Sequence, residues 1–172
     1  MKYVTAALAL ACAVLPVLSG MGETSGGGNG GRVKKVLFVY DVVDERSGFY
    51  IDAFRKALAK TGHDISEVAV EKGTVEDISS YDVLVVYSRV MAFNMMSPVR
   101  KWLKKHGSFK GRKLFLYVTA DRLFHKAHCR GLIKLVKKRE GVVIDAVTMA
   151  TNKMSDEDKV RTIGTHLEKL TE

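Results

Sequence analysis

Apolar runs recur along this chain, and between most of them the apolar positions step by three and four. Lys35–Tyr40 (KVLFVY), Val83–Tyr87 (VLVVY), Leu114–Val118 (LFLYV) and Val142–Val147 are short, rich in β-branched and aromatic residues, and largely unbroken by polar alternation. Such runs read as strands covered on both faces, which belong inside a parallel sheet. Ile65, Val68 and Val70 suggest one more strand, second in chain order. The helical segments show the other period. Tyr50, Phe54, Ala57 and Leu58 share one face of a helix over Phe49–Lys60, with Gly62 placed for a left-handed cap. Val99, Trp102 and Leu103 anchor a helix that Ser97 caps and Pro98 starts, closed by Gly107. Leu132, Ile133, Leu135 and Val136 mark a third helix ending at Gly141. Val160, Ile163, Leu167 and Leu170 mark a fourth, opening near Asp156 behind Ser155.

The order is therefore β-α-β-β-α-β-α-β-α. Only twelve residues, Glu71 to Asp82, join the second and third strands, room for little more than one helical turn. Alternation of this kind predicts an α/β domain with a mostly parallel sheet, right-handed crossovers and helices on both faces. The segment Ser88–Met96, between the third strand and Ser97, then falls at the carboxyl edge of the sheet, where open α/β folds hold ligands.

The N-terminus has a different pattern. Lys2 precedes an uncharged run from Tyr3 to Leu18, followed by Ser19 and Gly20, the layout of an export signal over residues 1–20. A membrane span needs about 20 apolar residues; this run is shorter and contains Pro16. An exported protein, periplasmic or extracellular, is the main expectation, and an uncleaved segment tethering it to a membrane is the lesser one. Residues 21–33 hold six glycines and read as a flexible linker, which leaves 34–172 as the folded domain. Cys12 lies within the apolar run, so Cys129 is the only cysteine of the domain and no internal disulfide is expected.

Charge changes the picture further. The chain is +9 overall, yet Arg100–Arg139 holds fourteen Lys and Arg against the single acid Asp121. The remainder carries fourteen bases and eighteen acids. Arg100, Lys101, Lys104 and Lys105 fall on the helix after the third strand, and Arg130, Lys134, Lys137, Lys138 and Arg139 on the helix after the fourth. Where a fold sets those two helices on one face of the sheet, the bases form a single positive surface. It suits an anionic membrane or an acidic redox partner protein. Nucleic acid is the weaker reading, because no aromatics interleave with these bases.

From Arg32 onward the chain resembles the flavodoxin-like family. The residues that carry the resemblance are Val36–Tyr40, Ser47-Gly48, Asp77–Ser88, Val99–Leu103 and Phe109–Tyr117. The resemblance implies a three-layer αβα fold with a five-stranded parallel sheet of order 2-1-3-4-5. It also implies flavin mononucleotide (FMN) across the carboxyl ends of the first, third and fourth strands. Its Thr-x-Thr-Gly-x-Thr phosphate turn would correspond to Glu45–Tyr50, with Arg46, Ser47, Gly48, Phe49 and Tyr50 near the phosphate. Glu45 and Tyr50 stand at two of the hydroxyl positions, the loop is about three residues longer than usual, and Asp41 and Asp44 add charge. Ser88 and Phe93 would line the ring from the second loop, and Thr119, Ala120 and Asp121 would supply edge contacts from the third.

On this reading the protein is an FMN-binding electron carrier or flavin-dependent oxidoreductase. The competing reading is a flavin-free module that docks through its basic face. His125, His128 and Cys129 are the only cluster of metal-compatible side chains, and a structural role for them is expected over a metal site. No residue array points to a nucleophile or an acid/base pair.

Overall fold

A computed structural model describes residues 32–41, 45–71, 74, 76–90, 97–121 and 123–171. The expected signal, most of the linker, Asp44 and Phe93 lie outside the described residues. The element order is β1 (Lys35–Asp41), α1 (Glu45–Ala59), β2 (Asp64–Val70), β3 (Val83–Val90), α2 (Pro98–Lys105), β4 (Lys113–Ala120), α3 (His125–Lys138), β5 (Val142–Ala150) and α4 (Asp156–Leu167). All five strands run parallel in the order β2-β1-β3-β4-β5. Among its described residues the β2–β3 crossover contains one 3₁₀ turn, Ile78–Ser80, capped by Asp77, whose carboxylate accepts the Ser79 N–H. The short spacing in the sequence leaves room for little more than such a turn.

The local chemistry explains the helix ends. Ser97 Oγ accepts the Arg100 N–H at 3.0 Å ahead of Pro98, and Ser155 Oγ accepts the Asp158 N–H at 3.1 Å. Asp156, Glu157 and Asp158 fill the first turn of α4, where the helix dipole favours anions. Gly62 takes φ +70° just past α1, a conformation that any Cβ would strain.

Two apolar layers sandwich the sheet. Phe38, Tyr40, Tyr87, Phe115 and Tyr117 face α1 and α4 and pack on Phe54, Leu58, Ile163 and Leu167. Leu37, Val39, Leu84, Val86, Leu116 and Val118 face α2 and α3 and pack on Trp102, Leu103, Leu132 and Val136. Burial of β1, β3 and β4 on both faces is what their unbroken apolar runs required. β5 is an edge strand with Val142 and Ile144 exposed, and its register shifts between Leu114 and Phe115, which brings Asp145 opposite Phe115.

Several boundaries differ from the sequence expectation; β5, expected to end at Val147, runs to Ala150, and β1 includes Asp41. α1 opens at Glu45 rather than Phe49, because an acid suits a helix start and nothing from Glu45 to Gly48 breaks a helix. The apparent loop extension is thus largely an extra turn of helix. β3 continues through Ser88, Arg89 and Val90, and β4 through Thr119 and Ala120, because the two strands keep pairing to Val90–Ala120. Polar side chains there do not end the ladder, since it is built from backbone.

Candidate functional site

The carboxyl edge gathers the end of β1, the first turn of α1 and the ends of β3 and β4. Because strand side chains alternate between faces, the residues expected to hold a cofactor divide into two groups.

On the α2/α3 side lies a buried polar network. Ser88 is fully buried, and its Oγ lies 2.8 Å from Asp41 Oδ2, 3.2 Å from Ser97 Oγ and 3.1 Å from His128 Nε2. Its single proton goes to the carboxylate. Ser88 Oγ therefore accepts from a His128 Nε2–H, which fixes the tautomer and leaves His128 Nδ1 without a partner among the described residues. Asp41 is buried too. Besides Ser88, it accepts the Arg89 N–H at 3.2 Å and the Val99 N–H at 2.9 Å. One carboxylate thus ties the end of β3 to the first turn of α2. Burial pushes the Asp41 carboxyl above its ordinary range, and the donors from Val99, Ser88 and Arg89 pull it back. His128 is held below the histidine range by burial first and by Arg100 second. Serine sits between acid and base here, so this is no hydrolytic relay, in which the histidine would stand in the middle.

On the α1/α4 side Tyr50 is buried and stacks on Tyr87 with centroids 5.8 Å apart. Burial pushes its phenol up, against a hydrogen bond with Thr151. Tyr87 bonds Thr119 Oγ1 at 3.1 Å, and the Ala120 carbonyl accepts from Thr151 Oγ1 at 3.2 Å. Arg89, mostly buried, lies 3.6 Å from the exposed Asp121 carboxylate. Lys159 lies over the Phe49 ring, 5.5 Å from its centroid.

The structure thus places the expected site residues as follows. Arg46 and Ser47 lie in the first turn of α1 with Gly48, Ser47 buried and Gly48 half-buried. Phe49 is at the surface, while Tyr50, Ser88, Thr119 and Ala120 are buried beneath the edge, and Asp121 is exposed at its rim. The buried ones form the floor of the edge. Arg89 and Thr151 were not anticipated; only the length of the β3 pairing, absent from a local apolar pattern, places Arg89 here. His125, His128 and Cys129 do not assemble, and no group of His, Cys, Asp or Glu among the described residues could hold a metal ion. Burial pushes the Cys129 thiol up.

No protein-family model matches the chain, and no curated protein matches it. Solved structures do. The flavodoxin of Streptococcus pneumoniae TIGR4 aligns with a TM-score of 0.60 at 14% identity, over 79% of this chain and 99% of that one. The two-electron reduced flavodoxin of Megasphaera elsdenii gives 0.60 at 18% identity, over 77% and 98%. The general stress protein 14 of Treponema denticola, solved in complex with FMN, gives 0.60 at 15%, over 79% and 97%. The fold is flavodoxin-like. The sheet order 2-1-3-4-5 expected from the resemblance is the order observed.

Among the basic residues, α2 and α3 do share one face. Two of the nine bases serve the fold. Arg139 donates to the carbonyls of His106 at 2.7 Å, Lys104 at 2.8 Å and Gly107 at 3.1 Å, closing the C-terminal end of α2. Arg100 is half-buried and lies across Gly131 of α3. Lys101, Lys104, Lys105, Arg130, Lys134, Lys137 and Lys138 are exposed.

Proposed function

We propose that this domain binds FMN at the carboxyl edge of its sheet and carries electrons outside the cytoplasm, where its N-terminal segment would direct it. The observation that carries the reading is positional. The parallel order 2-1-3-4-5 sets the first turn of α1, with Arg46, Ser47 and Gly48, beside the ends of β3 and β4. A helix start offers backbone N–H donors to a phosphate. Asp41, one of the acids near that turn, points to the opposite face and is engaged at the start of α2. Arg89 adds a cation at the same edge, on the α1 side. These residues fit a phosphate-bearing flavin. When bound, the flavin supplies the one- and two-electron chemistry; the chain's own part is to take the phosphate, fix the floor through Tyr50, Tyr87 and Thr119, and limit water.

A second reading, a flavin-free module, is favoured by one feature: the hydroxyls of Ser88 and Thr119 turn inward and are spent within the fold. Titration of the full chain with FMN and with riboflavin separates the two. Quenching of flavin fluorescence at micromolar FMN, with riboflavin at least about tenfold weaker, is the expected result, since an anion at a helix start with a nearby cation gains on the order of 1–2 kcal/mol. No quenching at micromolar FMN would leave the flavin-free module.

A further inference from the structure

The parallel topology concentrates exposed lysines at one pole. Each helix that follows a strand runs back toward the sheet's amino edge, so α2 and α3 end there. The structure knits that edge together: the Phe109 N–H donates to the Arg139 carbonyl at 2.7 Å and the Gly111 N–H to Glu140 at 2.8 Å. Lys104, Lys105, Lys110, Lys113, Lys137 and Lys138 are all exposed at this edge. Arg32 and Lys34 join Lys110, Arg112 and Lys113 around an open depression of about 550 Å³. Three acids nearby accept hydrogen bonds: Asp77 from the Ser79 N–H, Asp82 from the Lys35 N–H and Glu140 from the Ser108 hydroxyl.

The opposite, carboxyl edge carries Glu45, Asp121, Asp156 and Glu157. Strands of seven to nine residues put the two edges about 25 Å apart. The carboxyl edge also carries Arg89, Lys126 and Lys153, so it is mixed in sign, while the exposed lysines are densest at the amino edge.

We propose that the amino-edge pole is a docking surface for an anionic lipid membrane, which leaves the carboxyl edge facing away from the bilayer. Three observations select lipid headgroups over an acidic protein. First, the pole's exposed cations are nearly all lysines, whereas Arg112 and Arg139 are spent on backbone carbonyls. Lysine acts as a hydrated point charge and suits a diffuse anionic layer, while specific protein recognition favours arginine and aromatics. Second, the described chain starts at Arg32 on this same pole, preceded by a glycine-rich stretch and the apolar run of residues 3–18. Third, a partner exchanging electrons would have to approach the far edge, so the pole is the wrong surface for it. The first two observations hold whether or not flavin binds.

The test is sedimentation of the full chain with phosphatidylcholine vesicles and with vesicles containing one third phosphatidylglycerol, across a salt series. The preference for anionic over neutral vesicles isolates the electrostatic part from the apolar segment. The wild-type protein should show a strong preference that fades with salt. K104Q/K137Q/K138Q should cut that preference about a hundredfold, and the triple arginine variant should retain it. K126Q/K153Q, neutralised at the opposite edge, should remain close to wild type. Urea midpoints close to wild type establish that the variants fold.

A wild-type protein that binds both vesicle types equally would overturn the proposal. So would a loss in K126Q/K153Q as large as in the pole variant. Soluble polyglutamate that binds as tightly as the anionic vesicles would overturn it in favour of an acidic protein.

Discussion

Removing one hydroxyl from the carboxyl-edge network should cost far more than a surface serine would. In Ser88→Ala, Asp41 loses the donor at 2.8 Å and His128 loses the one partner its ring has among the described residues. A hydrogen bond to a carboxylate contributes about 1.5–3 kcal/mol, and a buried ring nitrogen left unsatisfied costs about 1–3 kcal/mol. Deleting the buried hydroxyl itself recovers about 1 kcal/mol of desolvation. The net expectation is a loss of about 2–4 kcal/mol, read as a shift of the urea midpoint at unchanged slope.

His128→Leu tests the same contact from the other side, and the double variant closes a cycle. If the two side chains act together, the double variant loses less than the sum of the singles by about 1 kcal/mol or more. A pH arm adds a second readout. His128 has a depressed folded pKa, so near pH 6.5 the unfolded chain takes up a proton that the folded chain refuses. Its contribution is fully present above that pH and is lost as pH falls toward the folded value, at up to about 1.4 kcal/mol per pH unit. His106 and His125 are shifted the same way by burial, Lys126 adding to the effect at His125. His128→Leu should therefore flatten part of the slope between pH 7 and 5. Additive single losses together with an unchanged slope would refute the network as drawn.

Two further predictions probe packing and charge. A Cβ on Gly141 would lie 2.6 Å from Val136 Cγ1 and 3.0 Å from Leu114 Cδ1, whereas one on Gly131 would meet only the mobile end of Arg100 at 2.8 Å. Gly141→Ala should cost about 1–3 kcal/mol from overpacking, and Gly131→Ala, inside α3, should gain up to about 1 kcal/mol from helix propensity; thermal unfolding separates the signs, and equal effects would refute the argument. Asp145 is pushed up by burial, but hydrogen bonds from Lys169 and His166 and from the Ala146 N–H outweigh this and hold its carboxyl below the usual range. Its stabilisation is present above the unfolded carboxylate pKa and lost as pH falls through the folded one. Asp145→Asn should lose about 1–2 kcal/mol at pH 7 and less at pH 3 in urea titrations.

The sequence by itself determined the layers. Unbroken runs at Val36–Tyr40, Val83–Val86 and Leu114–Val118 could be satisfied only by burial on both faces, and the apolar steps of α1, α2, α3 and α4 supplied the covers. Caps at Ser97 and Ser155 and the turn at Gly62 were legible because each rests on a contact within a few residues. The twelve-residue spacing before β3 left no room for a fifth α-helix.

Tertiary structure decided where the polar side chains went. Ser88 and Thr119 stand where flavin contacts were expected, yet cross-strand pairing prolongs β3 and β4, and alternation then turns each hydroxyl toward a different buried partner. Asp41 meets Val99 across 58 positions of sequence, and Arg139 closes α2 from the end of the next helix, contacts that no local pattern contains. Hydrophobic period is a property of neighbours along the chain, so it survives in sequence. A polar site is a property of distant residues brought to one edge, so it exists only once the sheet has set their register.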